Sequence, residues 1–357
     1  MTLISRSAIV TRKQCETKRY RTYEFRGTGI VPKDFTRKAD DDVNLASLPK
    51  VRGAIFHSIS LAIVEGAEKS DWVDLLAHEA LVLPDAIRAQ QTTLIRRAML
   101  GWDLIRGPWW RTHFDVISAE KEWIWQLTPT IGQPLRLDKI LRRKDDGFLG
   151  IFDYKTMGAI DPNWIQRHEI SAQTHLYVQA LKERSNEFVL GICYDGVLIG
   201  KMKNGSQNSP FVQGYRTDGG KISPKWQYGR EVVDLTQYDD DKWLDWIHHK
   251  AKMLEDLYVT SGFVNPPSAQ LLHTKAATGR AEEEWAERIE SVEVIRATYG
   301  EDSPEYATAL STLEKNDEQC LKYGVDYACP FVEQCWHGLP FDATFEPRKN
   351  HHEEGQD

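Results

Sequence analysis

Leu135-Arg-Leu-Asp138-Lys-Ile-Leu-Arg-Arg143, a polar Lys144-Asp145-Asp146-Gly147 turn, and Phe148-Leu-Gly-Ile-Phe-Asp153-Tyr-Lys155-Thr156 read together as a β-hairpin. Side chains alternate across a strand, so Asp153 and Lys155 share one face while Phe152 and Tyr154 take the other. A turn centred on Asp145-Asp146 sets Asp138 opposite Asp153, and one centred on Asp146-Gly147 sets it opposite Lys155. Either register leaves Asp138, Asp153 and Lys155 on one face. Facing side chains in a sheet lie about 5 Å apart, and like charges there repel. Two such carboxylates need a compensating positive charge. Lys155 offers one, and a divalent cation offers a larger one, Mg²⁺ and Mn²⁺ being cations that favour oxygen ligands. The plain alternative is a solvated hairpin with a surface ion pair. Leu149-Gly-Ile-Phe152 is too apolar for an exposed strand, and charges are rarely buried unpaired.

Asp138, then Asp153-Tyr154-Lys155-Thr156, then Gln173-Thr-His-Leu-Tyr177, all preceded by Gly53-Ala-Ile-Phe-His57, resemble the PD-(D/E)XK nuclease superfamily in its RecB-like exonuclease branch. In that branch a GxxxH segment precedes the acids and a QxxxY helix follows them. Any one motif is weak; four in order, suitably spaced, are specific. The resemblance implies an α/β fold with a restriction-endonuclease-like core, a mixed central sheet flanked by helices. It implies a phosphodiesterase acting on DNA, single-stranded or at duplex ends, as an exonuclease. Asp138 and Asp153 would hold Mg²⁺ or Mn²⁺, with His57 and Glu120 completing the shell. Glu120 is preferred to Glu122 because the family motif reads Val/Ile-x-x-Glu. The ion would polarise the phosphate and make hydroxide available near neutral pH. Lys155 would be the catalytic lysine, positioning the nucleophile and stabilising developing charge, while Gln173 and Tyr177, one helical turn apart, would contact the DNA backbone and the site. Taken singly, His57 reads as a structural histidine, Glu120 as an edge charge and Tyr177 as a core aromatic.

The chain has 357 residues and a net charge of −8, enough for one large domain or two small ones. No run is long and apolar enough to span a bilayer. The N-terminal stretch is broken by Arg6 and lacks a signal-peptide core, so a cytoplasmic location with no membrane partner is expected. Negative charge does not advertise a nucleic-acid binder. Locally, Arg136, Lys139, Arg142, Arg143 and Lys144 surround the first acid, and Arg12 to Arg26 is strongly basic. Such clusters track phosphates or simply form solvated faces.

Five cysteines in a cytosolic chain argue against a disulfide framework. Cys15 stands near one end, while Cys320, Cys329 and Cys335 crowd the other. This resembles the arrangement in CRISPR-adaptation nucleases and the nuclease domains of some helicase–nucleases, where one N-terminal and three C-terminal cysteines hold a [4Fe–4S] cluster. The family often has a close CxxC pair before its last cysteine, whereas Cys320 and Cys329 lie farther apart. Zinc is the rival for the same thiolates. A cluster joining Cys15 to the far end would close nearly the whole chain as a loop, removing entropy from the unfolded state. Cys193, in Val-Leu-Gly-Ile-Cys, reads as a buried strand residue.

Along the chain, the expected organisation is a single nuclease domain over 1–346, with its core at about 50–260, a helical insertion at about 267–318, and a disordered tail over 347–357. A short N-terminal helix leads to a strand-like turn at Gly27-Thr-Gly29. Val51, Ile55, Ile59 and Ile63 recur at helical spacing, with His57 off that stripe and Gly66 near the end. Residues 71–106 form one or two more helices interrupted at Pro84. Gly107-Pro-Trp-Trp110 breaks the helical pattern and starts the sheet, and His113 to Leu127 reads as its first strand. A polar linker from Met157 to Arg167 leads to a helix over Ser171–Glu183, followed by a strand over Glu187–Gly200. An excursion to Gly229 follows, as a long hairpin or a loop; its Tyr215, Trp226 and Tyr228 are of the kind that stack on bases or pack a loop down. A strand at Glu231–Leu235, an amphipathic helix over Asp239–Tyr258 and a charged helical pair over 280–318, broken at Gly300 to Pro304, complete the chain.

Two other readings compete with the enzyme: a catalytically silent DNA-binding or partner-docking module stapled by its cysteines, and a zinc-stapled interaction protein. Intact Asp138, Asp153 and Lys155 weigh against the first, because a retired site loses such costly charges; iron content and visible absorbance separate iron from zinc. Protein partners of a recombination, repair or CRISPR-adaptation kind, and assembly as a homo-oligomer, are compatible with the sequence.

Overall fold

The computed structural model describes residues 2–27, 30–32, 48–83, 85–119, 121–157, 163–201, 211–213, 225–228, 231–235, 239–249, 258–314, 331 and 345–347. The chain divides into two compact units, one formed by 45–122 with 136–274, the other by 1–44, 123–135 and 275–357. In order come β1 (Thr2–Leu3), α1 (Arg6–Gln14), α2 (Glu16–Arg19), β2 (Ile30–Pro32), α3 (Leu48–Val64), α4 (Lys69–Glu79), α5 (Asp85–Ile105) and α6 (Gly107–His113). The strands β3 (Phe114–Ala119), β4 (Glu122–Gln126), β5 (Ile131–Arg136), β6 (Lys139–Arg143) and β7 (Leu149–Met157) follow. Next are α7 (Trp164–Glu169), α8 (Ala172–Ser185), β8 (Val189–Lys201), β9 (Phe211–Gln213), β10 (Lys225–Tyr228), β11 (Glu231–Asp234), α9 (Asp240–His249) and β12 (Tyr258–Val264). α10 (Ser268–Tyr299), α11 (Pro304–Ser311) and β13 (Phe345–Pro347) close the chain.

The larger unit is α/β, with a mixed sheet flanked by helices. Its strand order is β11-β10-β9-β8-β7-β6-β3, and β12 also pairs with β8. β3, β6 and β7 run antiparallel, while β7 and β8 are parallel and joined through α7 and α8. Alternation decides the two faces. Phe152 and Tyr154 of β7, with Cys193 and Val197 of β8, join Ile55, Phe56, Ile59 and Ile63 of α3 and residues of α5 and α6 in one core. Cys193 is therefore the buried strand residue its neighbours imply. On the other face, Tyr194 of β8 meets Thr174 of α8, hydroxyl to hydroxyl at 2.8 Å.

Several elements differ from the sequence reading. Gly107-Pro-Trp-Trp110 starts a helix rather than the sheet, because Pro108 lies in the first turn of α6, where a missing N–H costs nothing. The single strand expected over His113–Leu127 is two strands: β3 pairs with β6, whereas β4 lies beside β5 in a separate sheet. The linker before α8 contains α7. The amphipathic helix is observed as α9, and its expected C-terminal residue, Tyr258, instead opens β12. Gly262, at φ +66°, stands where the β12–β8 register shifts, and this bulge hides the period-2 pattern.

The smaller unit contains a three-stranded sheet of order β1-β5-β4 and the pair β2–β13. Its apolar cluster includes Tyr20, Phe25, Trp285, Ile289, Val292 and Tyr306. α10 thus carries a buried stripe within what the sequence presents as a charged insertion. The basic run from Arg12 to Arg26 is partly turned inward, with Arg19 and Arg21 buried and Lys13 and Arg26 exposed. Arg19 pairs with Glu24 at 2.9 Å and Glu282 at 2.6 Å, Arg12 with Glu282 at 3.3 Å, and Arg26 with Glu301 at 2.7 Å. Of the expected tail, Pro347 ends β13 and the rest lies outside the described residues.

Candidate metal centre

β7 supplies two of the site's side chains. Its inward residues fix its rotation: Phe152 meets Trp110 edge-on at 4.4 Å between centroids, and Tyr154 stacks on Phe56 at 5.5 Å. Asp153 and Lys155 are thereby turned to the opposite face. The β6–β7 ladder ends at the pair Lys139–Phe152, while β7 continues to Met157. The register matches the turn that sets Asp138 opposite Asp153. Asp138 nevertheless lies in the bend leading into β6, one residue outside the ladder.

α3 supplies the third group. Burial of Ile55, Phe56, Ile59 and Ile63 sets the rotation of the helix, and His57 stands edge-on to Tyr154 at 6.2 Å. From there its Nδ1 reaches Oδ2 of Asp138 at 3.0 Å. His57, Asp138 and Asp153 each present one ligand-type atom within 4.8 Å of the others. Lys155 Nζ donates to Asp153 Oδ1 at 2.7 Å. The same ammonium is 2.6 Å from Oδ2, so both oxygens of this buried carboxylate face the Lys155 charge.

The two carboxyls are driven apart in acidity. Burial would raise Asp138, but hydrogen bonds with His57 and Asp153 outweigh it and hold the group well below the usual carboxylate range. Asp153 is almost fully buried, and this pushes its carboxyl up against the opposing charge of Lys155, with Asp138 adding to the rise. Such a divergent pair is a common mark of functional sites.

The remaining expected residues fall as follows. Gln173 and Tyr177 share a face of α8, both half-buried. Glu120 lies outside the described residues, as do Cys320, Cys329, Cys335 and Tyr215. Trp226 and Tyr228 are strand residues of β10. Cys15 is buried and caps α2, its sulfur accepting from Lys18 N at 3.4 Å. Gly53 stands one turn before His57, and a Cβ there would meet Thr156 Oγ1 at 3.8 Å, an ordinary contact.

Three members of the basic cluster around Asp138 form solvent-exposed local ion pairs, which are weak. Arg142 pairs with Glu187 at 2.6 Å, Arg143 with Asp146, and Lys144 with Asp115 at 3.4 Å. Lys139 is buried, only 1 % exposed. Its burial had a signal: Lys139 and the core residue Leu141 share strand parity. His168 was not singled out either. Its ring stacks on Tyr194 at 3.9 Å, and burial, then the charges of Lys155 and Arg167, push it down to about 4. It is a neutral imidazole near pH 7.

No protein-family model matches the chain, and no curated protein matches it.

Proposed function

We propose that the chain is a divalent-metal-dependent nuclease of the PD-(D/E)XK type, hydrolysing DNA phosphodiester bonds from strand ends. The observation that carries this reading is the meeting of His57, Asp138 and Asp153 within 4.8 Å, with Lys155 bonded to Asp153. The donor set suits Mg²⁺ or Mn²⁺, since two carboxylates supply hard oxygen ligands and neutral imidazole is a common third partner. Asp153 Oδ2 is buried and in ion-pair contact with the Lys155 ammonium at 2.6 Å, so a bound cation would share this carboxylate with Lys155. When bound, such an ion supplies Lewis acidity to the scissile phosphate and to the attacking water.

The chain's own groups do the rest. Asp138 and Asp153 would hold the ion from two adjacent segments, and Asp138 fixes the His57 ring through Nδ1. Lys155 keeps a side chain about one-third exposed while bonded to Asp153. Its ammonium is thus anchored on Asp153 within a part-exposed side chain, where it would orient the nucleophile and stabilise charge accumulating on the phosphate oxygens. The unit holding β3, β6, β7 and β8 with α3 and α8 would be the restriction-endonuclease-like core. Cys15, with Cys320, Cys329 and Cys335, would carry an iron–sulfur cluster, which iron content and visible absorbance test. Cleavage of DNA with Mn²⁺, with EDTA and with Asp153→Ala tests the enzyme: activity that needs the ion and Asp153 supports it, and activity independent of either refutes it.

A further inference from the structure

Two consecutive residues grip His57 from opposite ends. Asp138 takes its imidazole at 3.0 Å. Lys139 reaches its backbone: Nζ donates to Ser60 Oγ at 2.6 Å and to the His57 carbonyl at 3.4 Å. Ser60 in turn donates to that same carbonyl at 3.0 Å. The ammonium also lies 4.8 Å from the centroid of the Phe152 ring, a cation–π contact. Burying a lysine at 1 % exposure is costly, and it persists only where its donors are used. Here the hydrogen bonds to Ser60 and to the His57 carbonyl fall on the turn of α3 that carries His57.

Register explains why the arrangement is local to the site. Lys139 is the last β6 residue paired with β7, opposite Phe152, and Asp138 is the first residue beyond the ladder. Alternation sends the acid to one face and the ammonium to the other, towards α3. The dipeptide therefore ties helix to strand where the β6–β7 ladder ends, and the tie sets how far His57 projects past it.

We propose that Lys139 is a positioning residue of the metal centre, clamping the His57 turn of α3 through Ser60 and the His57 carbonyl so that the imidazole meets Asp138. The inference rests on reading His57, Asp138 and Asp153 as a metal site. Groups of this kind, acting on a ligand rather than on the ion, typically change metal affinity by about 10- to 100-fold. Electrostatics alone gives the opposite sign, because removing a cation beside a dication site tightens binding.

The test is Mn²⁺ affinity of the full chain, measured by calorimetry with Mn²⁺ as the sole ligand. Lys139→Met keeps the aliphatic stem and removes the donors. Its affinity is expected to fall about tenfold, and that of Ser60→Ala by less. His57→Ala should weaken binding too, and Lys139→Met should add nothing further in that background. Tightened or unchanged affinity in Lys139→Met overturns the inference, as does an equal loss with or without His57. Should Lys139→Met not fold, Ser60→Ala with and without His57→Ala makes the same comparison, and the same outcomes support or overturn the inference. A wild type that takes up no Mn²⁺ refutes the metal reading and this inference together. A wild type that binds, beside a Lys139→Met that binds equally well, refutes this inference alone.

Discussion

Asp138 and Asp153 come together just beyond the last β6–β7 pair, and their carboxyls are pushed to opposite sides of the ordinary range. Burial raises Asp153; Asp138 is buried too, but hydrogen bonds with His57 and Asp153 lower it. The pair therefore retains a proton at acid pH more readily than one isolated carboxyl would, and a dication must displace it. Mn²⁺ affinity is expected to rise as pH increases through the titration of Asp153, with proton release visible as a buffer-dependent binding enthalpy. Affinity flat across that range would contradict the assignment of Asp153 as a ligand.

Lys155 is bonded to Asp153 and still open to solvent on one side. A group that acts on transition-state charge should matter more to turnover than to association. Lys155→Ala is expected to lower kcat by about 10²- to 10³-fold, with DNA affinity changed far less. Steady-state kinetics and equilibrium DNA binding on the same variant check this. Equal losses in both would make Lys155 a phosphate contact only.

Gly53 has room for a methyl group, since a Cβ there would stand 3.8 Å from its nearest neighbour, Thr156 Oγ1. Inside a helix, Gly→Ala stabilises by about 0.5–1 kcal/mol. Gly53→Ala should therefore fold normally and gain about that much in chemical denaturation. If its cleavage activity falls while stability rises, the glycine serves close approach of substrate; loss of stability would contradict the packing described.

Asp195 is fully buried in β8, its Oδ2 accepting from Trp102 Nε1 at 3.0 Å and Trp110 Nε1 at 3.1 Å. Burial pushes it up to about 6, against the opposing charge of Arg106 and the indole bonds. A folded value above the unfolded one means that the folded state binds more protons. This contribution is full below the unfolded value and is lost as pH rises through about 6. Asp195→Asn keeps an acceptor for the indoles and removes the charge. It is expected to flatten the pH dependence of stability over that window and to be more stable near pH 7 by on the order of 2–3 kcal/mol. An unchanged profile would contradict the burial of a titrating carboxyl there.

The convergence of Asp138, Asp153 and Lys155 was legible because strand alternation is strict. Phe152 and Tyr154 had to face a core, which turned Asp153 and Lys155 the other way, and the register of a four-residue loop brought Asp138 opposite. What the hairpin reading could not supply was the end of the ladder. Whether Asp138 lies inside the last pair or just beyond it depends on where α3 docks, a tertiary fact. The same limit applies to Lys139. A lysine amid Arg142, Arg143 and Lys144 reads as part of a solvated basic face, yet its parity with Leu141 places it inward, and Ser60 satisfies it. Pro108 was read as a breaker because a proline stops a helix everywhere except in its first turn, where it stands. β12 was missed because the bulge at Gly262 interrupts its alternation. The apolar stripe of α10 was diluted by the charges that fill its other faces.

The central claim is that His57, Asp138, Asp153 and Lys155 form a metal-dependent centre that cuts DNA. The most direct measurement follows end-labelled linear DNA, single-stranded and duplex, with purified full-length protein in Mn²⁺ or Mg²⁺, in EDTA, and with Asp153→Ala. The account predicts ion-dependent release of nucleotides that EDTA stops and Asp153→Ala abolishes while the variant remains folded. Degradation that survives EDTA or the loss of Asp153, or folded wild-type protein that binds Mn²⁺ and leaves every DNA intact, would contradict it.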